Sequence, residues 1–179
     1  MTHITELRCA CGGTRLEVES RPIITAECHC ESCRAAAARL GALPGAPTVL
    51  ELNGGTRFAL YRKDRIRFRH GVALLKEHRL TPKASTRRVV ATCCNTPVFL
   101  EFEHGHWLSL YAALWPEGTR PPLEVRTMTM DRPPGTPLGD DVPNARRQSL
   151  SFMAKLLGAW IAMGFRSPKI DIVHGALHA

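Results

Sequence analysis

The chain has 179 residues, of which 44% are hydrophobic and 22% charged, with a formal net charge of +8 and seven cysteines. A chain of this size buries one core and leaves room for a second domain only if that is small. The odd cysteine count excludes complete disulfide pairing, and the polar N-terminal stretch MTHITELRC lacks the apolar run of an export signal, so a cytoplasmic setting is expected.

In a reducing compartment, close-set cysteines point to metal or redox chemistry before disulfides. The basic balance suits an acidic partner such as nucleic acid, a membrane surface or an anionic small molecule. No run of basic residues exceeds two, the pairs Arg62-Lys63, Arg87-Arg88 and Arg146-Arg147 being spread along the chain, and aromatics make up only 6%. A base-stacking, basic-stripe nucleic-acid surface is therefore disfavoured.

From Leu7 to about Ala113 the pattern is short and strand-like. Segments 14–19 (TRLEVE), 57–62 (RFALYR), 65–70 (RIRFRH), 74–80 (LLKEHRL), 87–92 (RRVVAT), 97–103 (PVFLEFE) and 107–114 (WLSLYAAL) show partial period-two alternation. In RIRFRH the alternation is complete, with Ile66 and Phe68 on one face and Arg65, Arg67 and Arg69 on the other. Turn residues separate the segments, which predicts an antiparallel meander with one helix at 31–41 (ESCRAAAARLG), alanine-rich and closed by Gly41. No βαβ rhythm appears, which argues against Rossmann and thioredoxin-like folds.

Seven of the thirteen prolines fall between positions 116 and 143, where only 123–130 (LEVRTMTM) keeps strand alternation. A helix is predicted over 144–165, with Asn144 as N-cap. Its apolar stripe is Leu150, Met153, Leu157 and Trp160, widened by Phe152, Leu156 and Met163. Lys155 breaks its apolar run, so it is too short to span a bilayer and is expected to pack on the body or across a homo-oligomer. The tail offers His174 and His178 with no site-defining spacing. His104 and His106 flank Gly105 and read as solvent-exposed turn residues. The division expected is a β domain over 1–132, a Pro/Gly-rich loop over 133–143, and a helix with its tail over 144–179.

The cysteines fall into three groups: Cys9 and Cys11 in CACGG, Cys28, Cys30 and Cys33 in CHCESC, and Cys93 with Cys94 in ATCCNTP. Thiolates are the soft ligands zinc prefers, and short spacing lets one turn present two sulfurs to one ion. The Gly12-Gly13 pair suits such a turn. Cys9 and Cys11 can combine with Cys93 and Cys94 into a closed four-sulfur site, leaving Cys28, Cys30 and Cys33 as an open one. Adjacent residues seldom aim both sulfurs at one ion, so Cys93 is either a ligand or a small hydrophobe facing the core. His29, between two presumed ligands, reads as a supporting or surface residue rather than a ligand.

The three motifs, CACG at 9–12, CHCESCR at 28–34 and CNTP at 94–97, resemble those of the glutathione-dependent formaldehyde-activating enzymes and the related centromere protein V group, in the same order and at similar intervals. The resemblance covers roughly the first 130 residues and suggests a divergent bacterial branch. It implies a mainly β fold, a β-tent of small antiparallel sheets with two zinc sites, to which this chain adds its C-terminal helix. It implies a structural zinc on Cys9, Cys11 and Cys94, and a second zinc on Cys28, Cys30 and Cys33 near which glutathione binds. The first cysteine of the family's Cys-x-x-Cys falls on Ala91, Asn95 stands where the family has glycine, and Ala35 to Ala38 replace a segment that usually includes glycine.

The function expected is a carbon–sulfur lyase acting on a small thiol adduct such as that of glutathione. Cys28, Cys30 and Cys33 would carry the chemistry, with Arg34 and the face of Arg65, Arg67 and Arg69 attracting carboxylates. The alternative is a non-catalytic zinc module that binds a macromolecule. A dithiol redox role for Cys30 and Cys33 is a third, disfavoured by the absent βαβ order.

Overall fold

The computed structural model describes residues 3–116, 118–133, 135 and 137–177. The chain is mainly β, with a three-stranded sheet, a seven-stranded sheet and two α-helices among the described residues. β1 (Ile4–Arg8) and β2 (Arg15–Glu19) form a hairpin around the first cysteine motif, and β5 (Ile66–His70) pairs with the other edge of β2. β5 keeps the predicted alternation, with Ile66 buried and Arg67 and Arg69 exposed.

The larger sheet holds β3 (Ile24–Cys28), β4 (Thr56–Arg62), β6 (Leu75–His78), β7 (Thr86–Ala91), β8 (Thr96–Phe102), β9 (Trp107–Tyr111) and β10 (Val125–Thr127) in the order β10-β3-β4-β9-β8-β7-β6. β6 to β9 make the expected antiparallel meander, but β10 runs parallel to β3. The strand expected over 123–130 shortens to β10 because Met128 takes a left-handed conformation, φ +57°.

Two strands escape a period-two reading. β3 is buried on both faces along most of its length, so it shows no alternation, while β1 has one fully buried residue, Leu7.

The large sheet is the middle layer. On one side Leu7, Leu16, Val18 and Ile66 of the small sheet pack with Ala59, Tyr61, Phe99, Leu108 and Leu110. On the other, Phe58, Leu60, Leu100 and Tyr111 pack under the helices. β4 supplies both cores by turning alternate side chains to opposite faces.

Helix α1 (Glu31–Gly41) is where the alanine run predicts it, and it buries Cys33, Ala36, Ala37 and Leu40, one i, i+3, i+4, i+7 face. Its N-cap acceptor is a sulfur, Cys30 Sγ, which takes the Cys33 amide.

Helix α2 (Leu150–Ala162) begins later than predicted. Ser149 caps it by accepting from the Phe152 amide, whereas Asn144 forms a bridge with Arg126 instead. The residues it buries are those expected to widen the apolar stripe, not those expected at its centre. Phe152, Leu156 and the following Met163 are buried, and Leu150, Met153, Leu157 and Ile161 are exposed, Leu150 at 90%. Both faces are apolar, so periodicity alone cannot choose between them. A tertiary contact does: His106 Nε2 donates to the Leu156 carbonyl at 2.9 Å, and its ring stacks on Trp160 at 5.9 Å.

His106 is thus buried, not a solvent-exposed turn residue like His104, because its strand-side position faces α2. The tail returns to the body: Ile170, Ile172 and Val173 join the first core, and Ala176 bridges Glu77 of β6. His174 is exposed and His178 lies outside the described residues. Among the described residues no helix is long and apolar enough to cross a membrane.

Burial, aided by the charges of Lys63 and Arg62, holds the His106 imidazole below its ordinary value. Its folded pKa lies below its unfolded one, so the stability it contributes is complete above about pH 6.5 and is lost as pH falls toward the folded value. Wild type is expected to lose stability between pH 7 and pH 5 relative to His106→Gln, which keeps a donor for Leu156 but does not titrate. Chemical denaturation across that range checks this; parallel pH profiles for the two proteins would refute it.

Candidate metal centre

The hairpin loop between β1 and β2 and the turn between β7 and β8 bring Cys9, Cys11, Cys93 and Cys94 together, with all four sulfurs within 4.8 Å of one another. Cys9 Sγ lies 3.7 Å from Cys11 Sγ and 3.7 Å from Cys93 Sγ, and Cys93 Sγ lies 3.9 Å from Cys94 Sγ. Four sulfurs bound tetrahedrally at about 2.3 Å from one ion stand roughly 3.8 Å apart. The spacing therefore fits a thiolate-bound metal. Around the sulfurs, the Thr14 amide donates to Cys9 Sγ at 3.2 Å and Thr96 Oγ1 lies 3.0 Å from Cys94 Sγ.

The local backbone accommodates this. Gly12 has φ +76°, and a Cβ on Gly13 would lie 3.1 Å from Cys93 Sγ and 3.3 Å from Cys11 Sγ. The missing cysteine at position 91 is made good by Cys93: Ala91 is fully buried in the core, while Cys93 is exposed and its sulfur joins the group. Asn95 takes φ +52°, a conformation asparagine tolerates better than most residues, and its side chain donates to the Pro44 carbonyl. It can therefore do in this turn what a glycine would.

Protons are shared unevenly among these thiols. Burial opposes ionisation of Cys94, but Thr96 and the Cys11 amide outweigh it and bring the thiol down to about 6. Burial, then Cys11 and Cys9, push Cys93 up to about 12.

The second group holds Cys28, Cys30 and Cys33, whose sulfurs also lie within 4.8 Å of one another. Cys28 ends β3, Cys30 caps α1 and Cys33 lies in its first turn. Cys30 Sγ is 3.2 Å from Ser32 Oγ and accepts from the Cys33 amide at 3.4 Å. Hydrogen bonds from Cys28 and Cys33 bring Cys30 down to about 2, while the same bond pushes Cys28 up to about 11. Cys30 is thus the thiolate that its two neighbours stabilise, at a helix N-terminus that favours negative charge.

His29 belongs to neither sulfur group. It is 1% exposed, which rules out the surface position, and its Nε2 lies 2.9 Å from Glu27 Oε1. Glu27 also accepts from Asn53 Nδ2 at 2.7 Å and Arg126 Nε at 3.1 Å, and Arg126 reaches Asp141. Arg34 Nη1 donates to the His29 and Asp131 carbonyls, each at 2.6 Å, which ties the motif to the segment after β10. A cavity of about 170 Å³ beside the motif is lined by His29, Arg34, Leu52, Asn53, Gly54, Arg132 and Pro133.

Arg65, Arg67 and Arg69 are not part of this cavity. Arg67 and Arg69 lie on β5 and Arg65 just before it; β5 belongs to the small sheet, and Arg69 pairs with Glu17 and Arg67 with nearby carbonyls. Glu27, Asn53, Arg126 and Arg132 carry no local motif that a sequence reading could find, because β10 and its neighbouring loops meet β3 only through long-range pairing.

Two cysteine groups on a mainly β scaffold, one in two turns and one at a strand end and helix start, define a candidate metal-binding protein with one four-sulfur and one three-sulfur site. The family model for glutathione-dependent formaldehyde-activating enzyme matches residues 4–114, more than half of the chain, and the chain belongs to that family. The crystal structure of a Rhodobacter sphaeroides protein is similar at 16% identity and a TM-score of 0.47, covering 78% of this chain and 99% of that one. No curated protein matches the chain.

Cys93→Ser is expected to weaken one bound metal equivalent by more than about 100-fold, beyond the 10–100-fold typical of supporting partners, and to leave the other unchanged. Metal analysis with chelator competition reads this. Retention of both equivalents at wild-type affinity would show that Cys93 is not a ligand.

Proposed function

We propose that the chain is a two-zinc protein in which Cys9, Cys11, Cys93 and Cys94 hold a structural ion, and Cys28, Cys30 and Cys33 hold an ion that serves a carbon–sulfur lyase reaction on a small thiol adduct. The observation that carries this reading is the contrast between the two groups. One gathers four sulfurs; the other stops at three among the described residues, beside a cavity with two arginines. Zinc held by Cys28, Cys30 and Cys33 would supply Lewis acidity and make a substrate thiol more acidic. The reaction is reversible addition of a thiol to an aldehyde: the carbon–sulfur bond forms as the thiol proton passes to the carbonyl oxygen, and the reverse breaks it.

The chain's own residues bind and orient. Arg34 and Arg132 line the cavity, and arginine suits the carboxylates of a glutathione-like thiol. Asn53 supplies an amide at the same wall, and the Glu27–His29 pair holds the motif's backbone between β3 and α1. Three of the buried or half-buried basic residues are already matched internally, Lys63 with Glu101, Arg87 with Glu77 and Glu101, and Arg126 with Glu27 and Asp141, and the rest are dispersed. That favours a small anionic ligand in one cavity over a nucleic-acid surface. The exposed apolar stripe of α2 supports self-association through that helix.

Glutathione is expected to slow alkylation of Cys28, Cys30 and Cys33 in the zinc-loaded protein without protecting Cys11 or Cys93. Arg132→Met should raise the concentration needed for half-protection about tenfold, the loss of one charge-assisted contact. Peptide-resolved mass spectrometry gives both numbers. One zinc per chain, or no protection of the middle motif, would sink the reading.

A further inference from the structure

Arg88 lies in β7, opposite His78 of β6 and Leu100 of β8, and is 1% exposed. Arginine stays charged throughout the range in which proteins fold, and a buried charge without a partner is strongly disfavoured. Among the described residues no carboxylate pairs with it. The buried acids are committed elsewhere: Glu101 to Lys63 and Arg87, and Glu27 to Arg126 and His29. Of its three guanidinium nitrogens only Nη2 is bonded, donating to the Ser32 carbonyl at 3.1 Å, while Nε and Nη1 are buried without a partner.

Ser32 stands between Cys30 and Cys33 in the first turn of α1. Tyr111 of β9 is buried and packs in the same core as Cys33. The guanidinium therefore meets the ligand loop at the Ser32 carbonyl, between Cys30 and Cys33 in the chain. Three thiolates around a divalent ion leave one net negative charge, and Cys33 is buried, so water screens that charge poorly. The four-sulfur group differs, since Cys11 and Cys93 are exposed and bring its charge to solvent.

We propose that Arg88 is the buried counter-charge of the Cys28, Cys30, Cys33 metal group, a positioning residue that holds the ligand loop through the Ser32 carbonyl and offsets the group's negative charge. This rests on the reading of that group as a metal site. It makes the ion and the guanidinium one neutral buried unit: neither is well accommodated without the other.

The test is chelator competition on the full-length, zinc-loaded protein. Arg88→Met keeps much of the side-chain volume and removes the charge, and is expected to surrender one of two zinc equivalents at least about tenfold more readily, with the other unchanged. Arg88→Lys keeps the charge and should stay within about threefold of wild type. If Arg88→Met does not accumulate as folded protein, Arg88→Gln, which retains a donor for Ser32, takes its place with the same expectation. Wild-type affinity for both equivalents in the neutral variant would overturn the proposal. So would an equal loss in Arg88→Lys, which would assign the effect to shape and not charge. A wild-type chain that binds a single equivalent would instead overturn the reading of the three-sulfur group itself.

Discussion

The constraint on which the rest of this structure depends is the meeting of two loops that are far apart in sequence. The sulfurs of Cys9 and Cys93, 84 positions apart, come within 3.7 Å. That contact places the β1–β2 hairpin over the β7–β8 turn, and so lays the small sheet on one face of the large one. Leu7, Leu16 and Val18 then become core residues although their own sheet has only three strands. A sheet with one apolar face must bury that face against another element. The loop contact and the first core thus support each other.

The second sulfur group is built differently. It is local, spanning a strand end and a helix start, and its surroundings and not its own spacing give it character. Glu27, His29, Asn53 and Arg126 brace it from the β10 side, and Arg88 meets its ligand loop at the Ser32 carbonyl. The same large sheet therefore carries a solvent-reaching thiolate cluster near one end of β7 and a part-buried one at the end of β3. Their electrostatic environments differ accordingly, with water shielding the first and fixed protein charges the second.

The partition of seven cysteines into four and three was legible from spacing and count, because metal ligation needs donors in turns and the motifs mark those turns. Strands with one wet face, such as β5, were legible from alternation. β3 was not, since burial on both faces erases the period that identifies a strand. The docking face of α2 was not legible either. Leu150, Met153, Leu157 and Ile161 form as regular a stripe as the buried residues, and only the His106 contact, made from β9's approach, breaks the tie. Arg88 and Glu27 look like ordinary strand charges in sequence; their roles exist only once distant strands have paired.

One feature of α1 ties the chemistry of the site to the backbone. The acceptor that caps this helix is Cys30 Sγ, the same atom that belongs to the three-sulfur group and carries its most readily ionised thiol. An ion, an alkyl group or oxygen bound to that sulfur changes the negative charge that the Cys33 amide faces, and with it the strength of that hydrogen bond. The first turn of α1 is consequently a built-in gauge of the sulfur's chemical state, and the amide of Cys33 is the needle on which occupancy, modification and damage would all register.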